Sequence, residues 1–338
     1  MYNHVIMKQL VRNVKIIGTG SYAPKKIYTN DYLATLVPTN DEWVYKNVGI
    51  HERHIAAEDE FTSDLAAKAG IRAIADAGLT PEDIDLIIVA TATADRKAPS
   101  TACIAQHKMG CRNAVAFDLT AVCSGFLFAS SVACQYIASG VYDHVLVIGA
   151  DTFSKITDWT RRDCVFFGDG AGAAVYTSSN VTEGFLAFRL YTYTEERMFG
   201  FTIPGGGTEL PITKENYDEG LQYFQMDGHA VFESATKVLP QAINQVLEDA
   251  GLDINDIDLM IPHQPSIRIL KSTAEQIGLP FEKVMHNMEH YANTSAATIA
   301  ILLDECKHFG KLHKGENVLF AAVGSGWTYG AAIIKWAE

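Results

Sequence analysis

Cys123 is the residue of this chain best placed for nucleophilic chemistry. It lies in DLTAVCSGF, where a predicted strand runs into a tight turn that is followed by a long apolar helix. The N–H groups and dipole at the start of a helix favour thiolate over thiol. A cysteine is as often a small buried hydrophobic residue, and the position alone leaves both interpretations open.

His263 and Asn293 are the second and third candidates. His263 follows a short apolar strand in LMIPHQPSIRIL, and Asn293 lies in HYANTSAAT, before a helix predicted to begin near Ser295. A single histidine is more often structural, and an asparagine beside Thr-Ser commonly caps a helix. The structural interpretation of His263 is weakened by its place at a strand end, where a crevice is expected.

The remaining cysteines and the glycine clusters suggest no metal or nucleotide site. The chain has no CxxC pair and no Cys/His cluster with zinc-finger spacing. Glycine clusters at 167–175 and 323–332 match GxGxxG poorly and have no Walker lysine, so we interpret them as tight turns. Five cysteines are interpreted as structural: Cys103, Cys111, Cys134, Cys164 and Cys306.

An internal repeat indicates how these residues are brought together. Residues 77–86 read AGLTPEDIDL and residues 250–259 read AGLDINDIDL, an offset of 250 − 77 = 173 residues. Each copy follows a predicted helix and leads into a short apolar strand. The repeat therefore predicts two α/β halves, 1–182 and 183–338, with a site between them.

The hydrophobic pattern predicts nine strands that alternate with helices, which is typical of layered α/β proteins. Thr62 and Ser63 are predicted to cap the helix that precedes the first repeat copy. The strands are predicted at 14–17, 86–91, 114–118, 145–149, 173–177, 186–191, 259–262, 317–323 and 331–335.

The composition is that of a compact globule. Hydrophobic residues make up 48% and charged residues 20% of 338 residues, and the net charge of -13 makes nucleic acid an unfavourable partner. Residues 119–142 contain no charge, which we interpret as a buried helix rather than a membrane span. Without a recognisable signal peptide, we expect a cytoplasmic protein with reduced thiols.

Four segments in order, AVCSGF, FGDGAGAAV, IPHQPSIRIL and YANTSAAT, together resemble the β-ketoacyl-[acyl-carrier-protein] synthase III family of the thiolase superfamily. The resemblance runs from IIGTGSYAPKKIYTN to GWTYGAAII, nearly the whole chain. It implies a thiolase-like αβαβα fold, a homodimer, and a catalytic triad formed by Cys123, His263 and Asn293.

The resemblance also implies a reaction. Cys123 attacks an acyl-CoA, and a malonyl thioester then loses carbon dioxide and attacks the acyl-cysteine. His263 and Asn293 donate hydrogen bonds to the enolate oxygen, and the N–H groups of Cys123 and of the Gly324–Ser325 turn hold the tetrahedral oxyanion. No metal or redox cofactor is required.

Substrate and partner contacts follow from the same resemblance. Trp43, in TNDEW, and Arg161 match the residues that hold the CoA adenine. Arg268 and Lys271 lie on the expected carrier-protein face. Ala98 occupies a position that is commonly a bulky aromatic and closes the partner's acyl pocket, which predicts a wider pocket here.

Several positions depart from the family pattern. Asn47 replaces a common arginine, which weakens one expected CoA phosphate contact unless Lys46 or Arg162 substitutes for it. Glu233 replaces a commonly basic residue, with Lys237 one turn further on. Pro265-Ser266 replaces Ala-Asn, and Ser325 interrupts a glycine run.

Two functions are consistent with these features. One is an initiating synthase of fatty acid biosynthesis, and the alternative is a specialised synthase of secondary metabolism with longer primers or malonyl-CoA. A non-catalytic scaffold is disfavoured by the intact triad. A degradative thiolase is disfavoured because GSGWTYG has no second cysteine, and a chalcone-synthase-like enzyme because the chain is short.

Overall fold

The computed structural model describes residues 13–179, 182–194 and 196–337. Its strands are β1 (Asn13–Tyr22), β2 (Lys26–Thr29), β3 (Glu52–Ile55), β4 (Leu86–Ala90), β5 (Val115–Leu119), β6 (His144–Thr152), β7 (Asp169–Ser179), β8 (Gly184–Thr192), β9 (Phe201–Thr202), β10 (Gln225–Met226), β11 (Leu259–Pro262), β12 (Asn317–Gly324) and β13 (Thr328–Lys335). Its helices are α1 (Asn30–Leu33), α2 (Asp41–Val48), α3 (Thr62–Asp76), α4 (Thr101–Met109), α5 (Gly125–Ala138), α6 (Gly228–Ala250), α7 (Ile267–Ile277), α8 (Met288–Tyr291) and α9 (Thr298–His308).

Two sheets form the framework. The first has the order β1-β7-β6-β4-β5 and the second the order β11-β12-β13-β8. In the first, β4 pairs in parallel with β5 and β6, and β7 pairs antiparallel with β6 and β1. The second repeats this scheme, because β11 and β12 are parallel while β13 is antiparallel to β12 and β8.

Helices and sheets stack in five layers. Helices α3 and α4 cover the outer face of the first sheet, and α6, with α7 packed against it, covers the second. Helices α5 and α9 lie between the sheets and contact both. This arrangement confirms the predicted αβαβα layering. It also explains why 119–142 lacks charge, since α5 has apolar neighbours on both sides.

No helix within the described ranges is long and apolar enough to cross a bilayer.

The two repeat copies adopt the same local structure. Each forms a short 3-10 turn closed by an aspartate that accepts the N–H of the residue at the turn's N-cap. After each turn, an aspartate links neighbouring strands. Asp85 accepts the N–H of His144 at the start of β6, at 2.9 Å, and Asp258 accepts that of Asn317 at the start of β12, at 2.9 Å. The offset of 258 − 85 = 173 is that of the repeat.

The first sheet uses only residues up to Ser179 and the second only residues from Gly184 onward. This division supports the predicted boundary between 182 and 183, which stays a prediction.

Two local predictions are wrong. The cluster at 167–175 is largely strand, because β7 begins at Asp169. A Cβ at Gly172 would lie 2.5 Å from the Ile301 backbone nitrogen, so glycine there lets α9 pack onto the strand. Thr62 and Ser63 do not cap α3, whose N-cap is Phe61. The Asp64 carboxylate accepts the Phe61 N–H at 3.0 Å instead.

Candidate active site

One cavity of about 360 Å³ brings most of the predicted site residues together. Cys123, His263 and Asn293 all line it, and so do Gly324 and Ser325. They come from both of the predicted halves of the chain. The rest of the wall is mainly apolar, and includes Phe167, Phe201, Phe232, Ile269, Val323 and Trp327.

Cys123 lies in a short 3-10 turn, Val122–Ser124, between β5 and α5. The Ser124 hydroxyl donates to the Ala121 carbonyl at 2.7 Å and lies 2.7 Å from the Thr328 hydroxyl, which links the turn to β13. A Cβ at Gly324 would lie 2.7 Å from the Ala121 oxygen and 3.0 Å from the Cys123 nitrogen. Only glycine at 324 therefore lets the end of β12 approach the cysteine turn this closely.

The position of Cys123 before α5 agrees with the prediction, but burial opposes the thiolate that the helix end would favour. Burial raises the pKa of the Cys123 thiol to about 12, helped by the nearby Asp151 carboxylate and opposed by the Ser295 hydroxyl. Desolvation therefore acts against the effect of the helix end and favours the thiol.

His263 directly follows β11 and is 3% exposed. Its N–H donates to the Ala321 carbonyl in β12 at 2.8 Å. Burial lowers the pKa of His263 to about 3, so the ring is neutral. Nδ1 lies 2.8 Å from the Thr298 hydroxyl, which leaves Nε2 for a ligand in the cavity.

Asn293 is fixed by its backbone and by its side-chain oxygen. Its N–H donates to the Phe166 carbonyl at 3.0 Å, and its carbonyl accepts from Gly168 at 3.1 Å. Its Oδ1 accepts the Ser295 N–H at 2.8 Å, although the N-cap of the short helix that begins at Ser295 is Thr294. The amide Nδ2 is thus the group of this side chain that remains to donate into the cavity.

Trp43 lines the cavity, but Arg161 is not among the residues that do. The Arg161 guanidinium donates to Asp163 and to the Phe224 carbonyl. Arg162 instead lies over the Trp43 ring, with its Cζ 3.8 Å from the ring centroid. The structure therefore places Arg162, not the predicted Arg161, beside Trp43. Trp43 itself is less than half exposed.

The remaining predicted residues lie at or beyond the cavity mouth. Arg268 is exposed and lines the cavity, with its Cζ 5.4 Å from the centre of the Phe232 ring. Lys271, one turn further along α7, is exposed outside the lining. Ala98 is exposed and also outside the lining.

Three residues next to the site were not predicted from the sequence: Asp151, Ser295 and Thr298. Thr298 and Ser295 belong to the NTSAAT segment whose asparagine was singled out. Asp151 ends the apolar run HVLVIGAD, where a charged residue in a buried strand is itself a signal of a special environment. Within the described ranges, no group of three or more His, Cys, Asp or Glu residues could hold a metal ion.

Five alternating layers with a cysteine, a histidine and an asparagine meeting between two equivalent halves define the thiolase-fold condensing acyltransferases. Comparison with known proteins identifies the family within this class. Residues 117–194 match the family "3-Oxoacyl-[acyl-carrier-protein (ACP)] synthase III" and residues 247–336 match its C-terminal region. The chain belongs to the 3-oxoacyl-[acyl-carrier-protein] synthase III family.

Relatives match along almost the whole chain. Beta-ketoacyl-[acyl-carrier-protein] synthase III of Caldanaerobacter subterraneus is 45% identical over 96% of this chain and 98% of its own. That of Clostridium acetobutylicum is 43% identical over 97% and 100%. The crystal structure of the Aquifex aeolicus 3-oxoacyl-[acyl-carrier-protein] synthase III has a TM-score of 0.86 and 40% identity, covering 96% of this chain and 100% of that one.

Proposed function

We propose that this protein starts fatty acid chains, by taking an acyl group from an acyl-CoA onto Cys123 and condensing it with malonyl-[acyl-carrier protein]. The observation that supports this most is an apolar cavity lined by Cys123, His263 and Asn293 together. The relatives named beta-ketoacyl-[acyl-carrier-protein] synthase III, at 43–45% identity, favour this role over the specialised alternative.

The first half of the reaction is acyl transfer. The Cys123 sulfur attacks the thioester carbonyl, and the oxyanion is held by the backbone N–H groups of Cys123 and of the Gly324–Ser325 turn. The close contact between Gly324 and the cysteine turn keeps these N–H groups together. CoA leaves, and the acyl group remains on Cys123.

The second half is decarboxylation and condensation. Loss of carbon dioxide from the malonyl thioester places negative charge on its carbonyl oxygen. His263 Nε2 and Asn293 Nδ2 are the two neutral donors positioned for that oxygen. The Thr298 hydroxyl has one proton, which can go to His263 Nδ1 or to the Ser295 carbonyl 3.0 Å away. When it goes to Nδ1, the ring proton is on Nε2, as donation to the enolate requires.

CoA recognition is proposed for Trp43 together with Arg162. An adenine ring that stacks on Trp43 would take the place of the Arg162 guanidinium over that ring. Because Arg162 is exposed, its side chain can rotate into solvent or lie over the other face of the adenine. Arg161 is held by Asp163 and the Phe224 carbonyl. We therefore expect Arg162→Ala to weaken CoA binding more than Arg161→Ala.

Carrier-protein docking is proposed for the exposed face of α7, where Arg268 and Lys271 lie one turn apart. The chain has a net charge of -13, so an acidic carrier needs a local basic patch. Glu233, at a commonly basic position, forms an ion pair with Arg197 that offsets its charge.

A homodimer through β5 is the proposed assembly. All five residues of β4 are buried, whereas none of the five in β5 is, and β5 is the edge strand of its sheet. Pairing of two β5 strands would cover this edge. Ala98, exposed in the single chain, would then face the partner's acyl pocket, and its small side chain favours primers longer than acetyl.

The test is intact-mass analysis after incubation with acyl-CoAs from acetyl to dodecanoyl, with Cys123→Ala as control. We expect one acyl adduct on Cys123 that disappears when a malonyl thioester is added. The chain length that reacts fastest distinguishes the initiating role from the specialised one. No adduct with any primer, or an adduct that persists in Cys123→Ala, would contradict the proposal and support the non-catalytic scaffold.

A further inference from the structure

Arg53, in β3, is a fully buried cation that the reaction described above does not use. Burial lowers the pKa of Arg53 to about 10, so its guanidinium still carries a charge at neutral pH. Among the described ion pairs none includes Arg53, and its Nε makes no hydrogen bond to any described residue. A buried charge without a counter-charge is unfavourable, so its presence here calls for an explanation.

The Arg53 guanidinium makes three hydrogen bonds to uncharged acceptors. Nη1 donates to the Tyr28 carbonyl at 2.9 Å. Nη2 donates to Asn30 Oδ1 at 2.8 Å and to the Val165 carbonyl at 3.1 Å. The planar guanidinium holds several acceptors at fixed angles, which the single ammonium group of a lysine does not. Arg53 therefore fixes the position of Val165 relative to the distant β2 and α1.

Val165 begins a segment, 165–168, that holds the backbone of Asn293. The Phe166 carbonyl accepts the Asn293 N–H at 3.0 Å. The Gly168 N–H donates to the Asn293 carbonyl at 3.1 Å. Because both polar groups of the Asn293 backbone are bound to segment 165–168, a shift of this segment moves Asn293 with it.

Arg53 also packs directly against the far end of this segment. A Cβ on Gly168 would lie 3.0 Å from the Arg53 Cβ and 2.6 Å from the Tyr291 carbonyl oxygen. The absence of a side chain at Gly168 therefore lets the segment fit between β3 and the turn that precedes Asn293. Arg53 thus contacts both ends of segment 165–168, by a hydrogen bond at Val165 and by packing at Gly168.

The opposite side of the guanidinium leads to the helix that carries Trp43. Asn30, which accepts from Arg53, donates through its Nδ2 to Asp41 Oδ1 at 2.8 Å and to the Ile50 carbonyl at 2.6 Å. Asp41 is the first residue of α2, and Trp43 lies in the same turn. The start of α2 and the segment that holds Asn293 are therefore joined through one buried side chain.

We propose that Arg53 is a positioning residue for decarboxylation, and that it fixes segment 165–168 so that the Asn293 amide is held where the enolate oxygen forms. The proposal rests on the proposed function, in which Asn293 acts in the second half of the reaction. Arg53 is not among the residues that line the cavity, so it acts through Asn293 and not on the substrate. Acylation of Cys123 uses other hydrogen-bond donors and should depend much less on Arg53.

Arg53→Lys is the decisive variant, because it keeps the charge and loses the planar fork. We expect the kcat for decarboxylation of malonyl-CoA to fall about tenfold or more, a typical result of a misplaced donor. The rate of Cys123 acylation at saturating acetyl-CoA should stay close to that of wild type. Saturation is needed because a loosened α2 would raise the KM for acetyl-CoA.

Arg189→Lys is the matched control. It makes the same change in β8, where the guanidinium binds Asp249 of α6 and lies outside the cavity lining. Both half reactions should stay close to wild type in this variant. A general loss of stability would slow the two half reactions together, so the ratio of their rates separates positioning from folding.

A double-mutant cycle tests whether Arg53 acts through Asn293. In an Asn293→Ala background the amide is already absent, so Arg53→Lys should lower the decarboxylation rate far less than it does in the wild-type protein. The same fold loss in both backgrounds would show that Arg53 acts independently of Asn293 and would overturn the proposal.

Gly168→Ala tests the same contact with the buried charge left in place. The added Cβ would push segment 165–168 away from Arg53, so decarboxylation should again fall more than acylation. Equal losses in the two half reactions of Arg53→Lys, or of Gly168→Ala if Arg53→Lys does not fold, would also overturn the proposal. Absence of any Cys123 adduct in the wild-type protein would instead overturn the proposed function.

Discussion

The residues of the site are neutral because they are buried, and this determines how each one works. Cys123 and His263 both favour their uncharged forms, with the pKa of the thiol raised to about 12 and that of the imidazole lowered to about 3. Burial therefore opposes a thiolate–imidazolium pair in the free protein. In the proposed reaction, the histidine donates a hydrogen bond to the enolate, and the cysteine is deprotonated during the reaction itself.

The first prediction concerns the pH dependence of Cys123. The rate of alkylation by iodoacetamide should rise continuously from pH 7 to pH 9.5, roughly tenfold per pH unit, because the thiol pKa lies above this range. The measurement uses Cys103→Ser, since Cys103 is the exposed cysteine and would otherwise react as well. A plateau below pH 8 would show a stabilised thiolate and contradict the prediction.

The second prediction concerns Thr298, which positions the His263 proton. Thr298→Val removes the hydroxyl from Nδ1 and allows the proton to move there from Nε2. We expect decarboxylation of a malonyl thioester to fall about tenfold or more in kcat with little change in KM, a typical result of misplaced donors. Thr298→Ser keeps the hydroxyl and should retain most of the activity. Equal losses of activity in both variants would indicate that Thr298 acts through packing and not by positioning the His263 proton.

At this scale the sequence predicted residues that line the cavity but not the residues that contact them from behind. The triad and Gly324 were recognisable from motifs, and the structure unites them in one cavity. Asp151 and Thr298 act through contacts between residues far apart in sequence, such as Asp151 with Ala296. Periodicity and motif spacing contain no information about such contacts.

At the scale of elements, glycines decide how closely a helix approaches a sheet. Gly172 in β7 is in contact with α9, where a Cβ would lie 2.5 Å from the Ile301 nitrogen and 2.6 Å from the Ala300 carbonyl carbon. Helix α9 is one of the two central helices, and the Asn293 segment leads directly into it. Its approach to β7 therefore also sets the position of the candidate site.

The third prediction follows from this contact. Gly172→Ala should lower the free energy of unfolding by about 1–3 kcal/mol or more, because the backbone of α9 must move away. Gly207→Ala is the control, since Gly207 is exposed and a Cβ there meets nothing within 4 Å. Urea unfolding followed by circular dichroism measures both. Equal stabilities of the two variants would show that α9 adjusts without cost.

The repeat made most elements predictable. All nine predicted strands are present, because apolar runs between turn residues are a strong local signal. The strand start at Asp169 was missed because glycines commonly form turns. In this segment they lie within a strand, where their small size allows a helix to pack closely against it. The cap of α3 was missed because Ser63 donates instead to Asp95, a distant partner.

At the scale of the whole molecule, charge determines which surface an acidic carrier protein can approach. The fourth prediction is that Lys271→Glu raises the KM for malonyl-[acyl-carrier protein] severalfold and leaves the KM for malonyl-CoA near wild type. The two KM values should respond differently because Lys271 is exposed and lies outside the cavity lining. Lys314→Glu, the same charge change at another exposed site, is the control. A matching rise for malonyl-CoA would place Lys271 at the substrate rather than the carrier.

The last prediction concerns assembly. Val115 is 51% exposed on β5, the edge strand, and two β5 strands related by a two-fold axis would bring their Val115 side chains into one interface. Val115→Arg would place like charges there, and we expect the molar mass from light scattering to fall from two chains to one.

Ile71→Arg is the control for this change, because Ile71 is 46% exposed on α3, away from the β5 edge. It should leave the mass at two chains. If β5 is the interface, Val115→Arg should also alter the preferred primer length, because the loop with Ala98 would no longer face the partner's acyl pocket. A wild-type protein of one chain's mass, or a Val115→Arg variant that remains dimeric, would place the interface elsewhere or exclude it.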